Sequence, residues 1–479
     1  MRMLFCCESY YPSMGGVAEV MRQIAERMAL AGHDVTVATS HHAERKFETH
    51  NGVKIRGFKV EGNLVRGISG AAARYRDFVL GFAPDVILIK AAQQWTFDAL
   101  WPVLDSMRAR KVFIPCGFSS LYEPAYAEYF IQLPQILRKF DHLIFYANEY
   151  RDIDFARAHG LTNISVLPNG ASELDFGRSP DPNFRARLGI SDDDFVFLTV
   201  GSPISTKGHK AIAEAFAKVI LNGRPATLIL NGNWPKPPGL IQRTLPLLDL
   251  IVSALRVLRQ EGLAGLYARV RRKVAKRLEP VARRLQACWH TQPVASSAVV
   301  VDRKSGCQQP VVPQLVPATI EDWIKDARAQ PGKRVACTNL PREDVVQAFM
   351  TADLFVFASV VEYSPLVLFE AAAAGTPFLS VPVGNSEEIA RWTGGGIICP
   401  AARDERGYTQ VDPDVLAREM RQCMDDPHLL ARLGETGRTT WLRQFTWQAI
   451  APRYEAILTG QSCRKGGRKS LKFPEMLPE

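Results

Sequence analysis

Two glutamates that lie eight positions apart, on either side of a helix start, are the residues best suited to chemistry in this sequence. Glu362 precedes Ser364 and Pro365, and Glu370 follows them. Ser364 suits an N-cap because its hydroxyl can accept from a free backbone N–H, and Pro365 suits the first helical position, where a missing N–H costs nothing. The helix is predicted to continue through four alanines and to end at Gly375.

The start of this helix offers backbone N–H groups and the positive end of a helix dipole, which together favour a phosphate group. Glu362, just before the start, and Glu370, within the helix, are hydrogen-bond acceptors for hydroxyl groups. This arrangement suits a ligand that carries a diphosphate between hydroxyl-bearing groups, and a nucleotide sugar is such a ligand. An alanine-rich helix is more often only a packed helix, so the interpretation depends on whether other segments fit the same ligand.

Two loops, each between a predicted strand and a predicted helix, could approach the phosphates of such a ligand. The first contains Gly15 and Gly16, whose missing side chains permit a tight turn and a close approach of backbone N–H groups. The second contains Gly201 and Ser202 and carries Lys207 near its tip. Lys207 could neutralise a diphosphate, although a single loop lysine is by default only solvated.

Apolar strands alternate with helical patterns along most of the chain, which predicts an α/β fold with parallel sheets covered by helices. The pattern restarts after Asn169 and Gly170, so we expect two doubly wound, Rossmann-like domains that face each other across a cleft. The predicted strands are 3–7, 34–39, 85–89, 112–115, 142–146, 165–167, 195–200, 227–231, 335–338, 354–357, 378–381 and 396–399.

The domain boundaries follow from this alternation. The first domain is predicted to comprise residues 1–170 and to be completed by a C-terminal helix at 446–460. The second comprises residues 171–445 and includes an insertion at about 235–318, where the alternation of strands and helices breaks down. A basic tail, 463–479, ends the chain.

The composition indicates a globular protein, since 47% of the 479 residues are hydrophobic and 23% are charged. Nine scattered cysteines without a Cys-x-x-Cys pair argue against a disulfide framework or a structural zinc site and favour a reducing cytosol. The apolar runs are too short for a signal peptide or a membrane span. We therefore expect a cytoplasmic protein.

The net charge of +10 is concentrated in two segments. Residues 250–290 contain ten Lys or Arg and two Glu, and residues 463–479 contain five Lys or Arg and two Glu, so the remainder is nearly neutral. The first segment has apolar residues at helical spacing, which predicts binding to an anionic membrane surface, here the inner face. An ordinary surface helix is an equal alternative. Nucleic acid is not expected as a partner, because no aromatic residue that could stack on bases is interleaved with the basic residues beyond Tyr267.

The order and spacing of five segments resemble the GT-B glycosyltransferases, specifically the retaining family 4, or group 1, enzymes. The resemblance covers most of residues 1–232 and 318–458. The five segments are 11–16 (YPSMGG), 166–170 (VLPNG), 200–208 (VGSPISTKG), 352–359 (ADLFVFAS) and 362–377 (EYSPLVLFEAAAAGTP).

The resemblance implies a nucleotide-sugar donor, retention of anomeric configuration, no cofactor and no metal. It also implies that the departing phosphate takes the proton of a glycan or lipid-linked acceptor, in polysaccharide or glycolipid synthesis. The implied catalytic residues are Glu362, beside the donor sugar, and Lys207, at the diphosphate. The implied donor-binding residues are Gly15, Gly16, Gly201, Ser202, Ser364, Pro365, Leu366 and Glu370, the last at the ribose.

Two departures from the family pattern leave alternatives open. Ser202 stands where the family usually has an arginine, and the segment around Cys116 and Gly117 lacks the histidine that is often found there. A catalytically degenerate GT-B protein that serves as a membrane-associated scaffold is one alternative. A GT-B sugar-nucleotide epimerase is another, although no acid–base pair for it is recognisable in the sequence.

Overall fold

The computed structural model describes residues 1–13, 15–234 and 318–461. The predicted insertion at about 235–318, including its basic stretch, and the basic tail lie outside the described residues, apart from residue 318 itself. The described residues form two large parallel β-sheets and two small hairpins. The α/β prediction with two doubly wound sheets is confirmed.

The first sheet contains eight strands in the order β10-β9-β8-β7-β1-β2-β4-β3, parallel except for β3 against β4. Leu4 and Cys6 of β1 belong to one hydrophobic core, whereas Met3 and Phe5 belong to another. Because successive side chains of a strand point to opposite faces, both faces of this sheet are covered. The strands are β1 (Arg2–Cys6), β2 (Asp34–Ser40), β3 (Thr49–His50), β4 (Val53–Phe58), β7 (Val86–Lys90), β8 (Arg110–Ile114), β9 (His142–Phe145) and β10 (Ile164–Val166), and a hairpin of β5 (Val60–Asn63) and β6 (Gly67–Gly70) follows β4.

The second sheet contains six parallel strands in the order β13-β12-β11-β14-β15-β16. They are β11 (Phe195–Val200), β12 (Ala226–Asn231), β13 (Lys333–Thr338), β14 (Leu354–Phe357), β15 (Phe378–Ser380) and β16 (Gly396–Ile398), and a small hairpin of β17 (Ala402–Arg403) and β18 (Thr409–Gln410) follows.

The described helices lie mainly between successive strands, as a doubly wound fold requires. None of them is long and apolar enough to cross a membrane. They are α1 (Gly16–Leu30), α2 (Ala72–Phe82), α3 (Trp95–Asp98), α4 (Ala127–Leu137), α5 (Arg151–Ala158), α6 (Glu173–Phe176), α7 (Phe184–Arg187), α8 (His209–Lys218), α9 (Ile320–Ala329), α10 (Arg342–Thr351), α11 (Leu366–Ala374), α12 (Ser386–Thr393), α13 (Pro413–Asp425), α14 (Pro427–Thr440) and α15 (Trp447–Thr459), with 3-10 turns at Trp101–Ser106, Pro124–Tyr126 and Ser205–Lys207 and a π-helical turn at Trp441–Phe445.

The chain passes between the two sheets twice, and the two passages run side by side. Ala171 forms a parallel bridge with Thr446, and its N–H donates to the Phe445 carbonyl at 3.0 Å. After the second passage, α15 packs against the core of the first sheet through Ile450 and Tyr454. The hydrophobic core of the first sheet therefore contains residues from both the beginning and the end of the described chain.

Gly170 is the tightest point of this double passage. A Cβ at this position would lie 2.3 Å from the Phe445 oxygen and 2.7 Å from Ile450 Cδ1. We expect Gly170→Ala to lower the free energy of unfolding by about 1–3 kcal/mol, because one of the two strands must shift. Thermal or denaturant unfolding measures this.

Gly81→Ala is the matched control, since a Cβ at Gly81, inside α2, has no neighbour within 4 Å. This variant should unfold within about 1 kcal/mol of the wild type. Equal stability of Gly170→Ala and Gly81→Ala would contradict the tight double passage.

Candidate functional site

The candidate site lies at the carboxyl ends of the strands, where both sheets reverse their strand order. In the second sheet the reversal falls between β11 and β14, and the segments after these strands carry Lys207 and Glu362. In the first sheet it falls between β7 and β1, and the segment after β1 leads to Gly15 and Gly16. Open α/β sheets bind ligands in the crevice at such points.

The N-termini of α1 and α11 meet at this site. Gly16 is the first residue of α1 and Leu366 is the first of α11, and a Cβ at Gly16 would lie 3.6 Å from Leu366 Cδ1. Gly15 precedes α1 with a φ of 146°, a backbone conformation that favours glycine. The positive ends of two helix dipoles thus lie close together, which favours an anion between them.

The start of α11 differs from the prediction in its cap. Pro365, not Ser364, is the N-cap, so Leu366 rather than Pro365 is the first helical residue. The buried Ser364 hydroxyl has no hydrogen-bond partner, and the Ser364 carbonyl accepts from Asn169 Nδ2 at 3.1 Å. Since proline has no N–H, Ser364 and Leu366 supply the backbone donors of this segment. The predicted end of the helix is correct, because Gly375 has a φ of 76° and closes it.

Lys207 and Glu362 form an ion pair at the centre of the site, with 2.5 Å between Nζ and Oε1. The loop of Lys207 is fastened to the segment before Glu362, because the Val360 N–H donates to the Thr206 carbonyl at 2.8 Å. Gly208 has no room for a side chain, since a Cβ there would lie 1.9 Å from the Ala358 oxygen. The structure therefore brings together two residues that the sequence separates by 155 positions.

Gly201 and Ser202 lie at the base of the same loop. The Gly201 N–H donates to the Asn231 carbonyl at 3.0 Å, and its carbonyl oxygen would lie 2.1 Å from a Cβ at Gly232. The Ser202 carbonyl accepts from the Ile204 N–H at 2.8 Å. Both residues shape the turn that leads to Lys207.

Glu370 is bound by an arginine that sequence analysis missed. Arg342, the first residue of α10, places Nη2 2.7 Å from Glu370 Oε1 and 2.9 Å from Asp175 Oδ2. Burial alone would lower the pKa of Arg342, but the Glu370 and Asp175 carboxylates raise it above its ordinary value. The arginine thereby fixes one oxygen of Glu370. No motif in the sequence signals this pairing.

Tyr363 packs against the loop after β8, the segment in which the sequence lacks the family's histidine. After β8 the backbone passes through positive φ at Cys116, Gly117 and Phe118. A Cβ at Gly117 would lie 2.9 Å from Cγ of Tyr363, the residue after Glu362. The ring of Tyr363 also lies 4.9 Å, centroid to centroid, from that of Tyr150. The side chain of Tyr363 therefore packs against the first sheet's loops.

Asp152, in the first turn of α5, is buried behind Tyr363. Its carboxylate accepts from the N–H groups of Gly117 and Ile153, each at 2.9 Å, and lies beside the Tyr363 hydroxyl. Burial raises the pKa of Asp152 to about 7, and these hydrogen bonds oppose the shift. The sequence places Asp152 on a helix but gives no sign of its burial or its partners.

Metal ligands do not cluster in the described ranges. No group of three or more His, Cys, Asp or Glu side chains there could hold a metal ion. The expectation that the protein needs no metal remains a prediction.

Asp152 makes stability depend on pH in a stated direction. Because its pKa of about 7 lies above the ordinary 3.8, ionisation costs stability as the pH rises from about 4 to 7. Asp152→Asn cannot ionise. We expect the melting temperature of this variant, relative to the wild type, to increase between about pH 4 and pH 7.

Asp154→Asn is the control, because Asp154 lies on the same helix with a 62% exposed side chain. Its melting temperature relative to the wild type should stay level over the same range. A level difference for Asp152→Asn as well would contradict the assignment.

The overall arrangement is similar to those of solved glycosyltransferase structures. Sucrose-phosphate synthase from Thermosynechococcus elongatus superposes with a TM-score of 0.63 at 15% identity, covering 96% of this chain and 98% of that one. Anabaena HepE, solved in complex with UDP, gives a TM-score of 0.60 at 15% identity, with 96% and 100% covered. These likenesses establish the GT-B fold.

Sequence similarity to curated proteins is confined to part of the chain. A segment of 120 residues is 28% identical to MMP alpha-(1->4)-mannosyltransferase of Mycolicibacterium hassiacum. It covers 25% of this chain and 27% of that protein, so the match spans about a quarter of the relative's length.

Two family models match two parts of the chain that contribute to the site, and neither range includes the loop of Lys207. Residues 15–170 match the glycosyl transferase 4-like domain, and residues 321–440 match the glycosyl transferases group 1 family. The first range begins at Gly15, and the second contains Glu362 and Glu370. The two ranges together make up more than half of the chain, which therefore belongs to the group 1 glycosyltransferases of the GT-B fold.

Proposed function

We propose that the protein transfers a sugar from a nucleotide-activated donor to a glycan or lipid-linked acceptor. One observation carries the donor assignment. Glu370 lies four residues after Leu366, so the carboxylate and the start of α11 are one turn, about 5.4 Å, apart on one helix face. A nucleoside diphosphate whose phosphates lie at the helix start would then have its ribose hydroxyls near Glu370.

The surrounding charges support the same donor orientation. Arg342 binds one carboxylate oxygen of Glu370, which orients the other for a hydroxyl. Lys207 and the two helix N-termini supply positive charge where a diphosphate would lie. The complex of Anabaena HepE with UDP supports a nucleotide ligand for this fold. The base and the sugar are left to experiment.

In the proposed reaction, a bond forms between an acceptor oxygen and the anomeric carbon, and the bond from that carbon to the diphosphate breaks. The departing phosphate oxygen takes the acceptor proton, and the product retains the anomeric configuration. Lys207 and the helix N-termini stabilise the charge that develops on the phosphate. Glu362, in this proposal, contacts the donor sugar. We further propose that no metal is required, so transfer should persist in EDTA.

A thermal-shift screen tests the donor assignment. A ligand that binds only the folded state stabilises that state, by about 2.7 kcal/mol at a ligand concentration of a hundred times Kd. The melting temperature rises as a result. We expect a shift with one of UDP, GDP or ADP and with a sugar conjugate of the same nucleotide. Absence of a shift with all of them would contradict a donor site and favour a degenerate, non-enzymatic protein.

Two substitutions should separate the two ends of the nucleotide. Lys207→Ala should weaken nucleoside diphosphate binding about tenfold, the equivalent of one charged hydrogen bond, and leave nucleoside binding unchanged. Glu370→Ala should weaken both ligands, because both carry the ribose. Isothermal calorimetry measures these affinities.

Lys210→Ala is the control for charge, since Lys210 lies on α8 close to Lys207 and is exposed. It should bind both ligands as the wild type does. Unchanged donor affinity in Glu370→Ala would overturn the role assigned to that carboxylate.

The acceptor and the cellular location form a separate part of the proposal. We propose a cytoplasmic enzyme of polysaccharide or glycolipid synthesis that reaches the inner face of the membrane through the basic residues of 250–290. The net charge of that sequence supports the proposal.

Co-sedimentation with vesicles tests the membrane proposal. We expect binding to vesicles that contain phosphatidylserine, loss of binding as salt rises, and none to phosphatidylcholine alone. Replacement of Arg271, Arg272 and Lys273 by Gln should weaken the binding. Equal binding to both kinds of vesicle, or to neither, would refute an electrostatic membrane contact.

A further inference from the structure

The backbone that carries Glu362 is fastened to the other side of the site by hydrogen bonds from residues far away in the sequence. The Tyr150 hydroxyl donates to the Glu362 carbonyl at 2.6 Å. Asn169 Nδ2 donates to the Ser364 carbonyl at 3.1 Å. The carbonyl groups of the residues before and after Tyr363 are thus held from the segments that follow β9 and β10.

Tyr363 itself is anchored on the first sheet's side through its hydroxyl. The oxygen accepts from the Tyr146 N–H at 2.9 Å, and the buried carboxylate of Asp152 lies beside it. The ring lies beside those of Tyr150 and Tyr146, at centroid distances of 4.9 and 5.5 Å, and against Gly117. The hydroxyl is therefore held by a hydrogen bond from the first sheet's side.

The main chain of Tyr363 is fixed equally firmly on the second sheet's side. Its carbonyl accepts from the Asn385 N–H at 2.9 Å, and a Cβ at Gly384 would lie 2.3 Å from the same oxygen. Glu362 extends from the adjacent Cα towards Lys207. The position of the Glu362 carboxylate therefore depends on where the Tyr363 side chain is held.

We propose that Tyr363 is a positioning residue, which sets the place of Glu362 beside Lys207 by anchoring the intervening backbone to the Tyr146 N–H. The inference rests on the proposed function, in which Glu362 contacts the donor sugar. Ring burial alone would be served equally by phenylalanine. The hydroxyl fixes the ring's orientation, because its removal would leave the Tyr146 N–H without this hydrogen bond.

Tyr363→Phe tests the inference, because it keeps the ring and removes only the anchor. We expect kcat for sugar transfer to fall about tenfold or more, since small displacements of a contacting group reduce rates strongly. The nucleoside diphosphate should bind no more weakly than to the wild type, because Glu362 is not among its proposed contacts and competes with it for Lys207. Tyr150→Phe, which removes the bond to the Glu362 carbonyl, should give the same separation of kcat from Kd.

Tyr122→Phe is the matched control, since Tyr122 is 53% exposed. It should behave as the wild type in kcat, Kd and melting temperature. An unchanged kcat in Tyr363→Phe, or an equal loss of kcat, nucleotide affinity and thermal stability, would overturn the positioning role and leave only a structural one.

A crystal structure of Tyr363→Phe decides the matter independently of activity. We expect the Glu362 carboxylate to be displaced from Lys207 relative to its 2.5 Å separation in the wild type. If Glu362 keeps its place, the inference is wrong whatever the activity. If the wild type transfers no sugar from any donor, the proposed function fails, and the displacement of Glu362 still supports or refutes the anchor.

Discussion

Two helices, α1 and α11, begin at the same place, and the charge distribution of the site depends on that meeting. The two helix starts are close, since a Cβ at Gly16 would be in ordinary van der Waals contact with Leu366. The positive ends of two helix dipoles lie close together there, and their combined potential favours a negative charge. Lys207 adds a further positive charge, and in the free protein the Glu362 carboxylate neutralises part of this positive charge. The site is in this sense arranged around an anion, with one carboxylate already beside its cation.

Much of the fold and of the backbone around the site could be predicted from the sequence, because helices, strands and turns depend on residues that are close together in the chain. The alternation of strands and helices, the end of α11 at Gly375 and the loop of Lys207 depend on residues close to one another in the chain. The order of the motifs indicated the two-sheet fold. The first sheet also contains β4, which was not predicted, although Val53 and Ile55 alternate with the exposed Lys54 and Arg56 as in a half-buried strand.

The partners of the site residues could not be predicted in the same way. Arg342 reaches Glu370 across 28 positions, and Asn169 reaches Ser364 across 195. Such pairs depend on packing, which no short pattern encodes. The wrong cap at Ser364 has a similar cause, because the general preference for a serine cap lost to tertiary hydrogen bonds on that segment. The role of Tyr363 could not be predicted, because the recognisable motif consists of its neighbours in the sequence and nothing marks the tyrosine itself.

The ion pair of Lys207 and Glu362 has a consequence for selectivity among small anions. Any anion that approaches Lys207 competes with a carboxylate that is covalently part of the protein and held 2.5 Å away. A single weakly charged group gains little by displacing it. An anion that also contacts both helix N-termini gains several interactions for the one that it replaces. The resident carboxylate thus acts as a threshold, which multidentate anions pass more easily than simple ones.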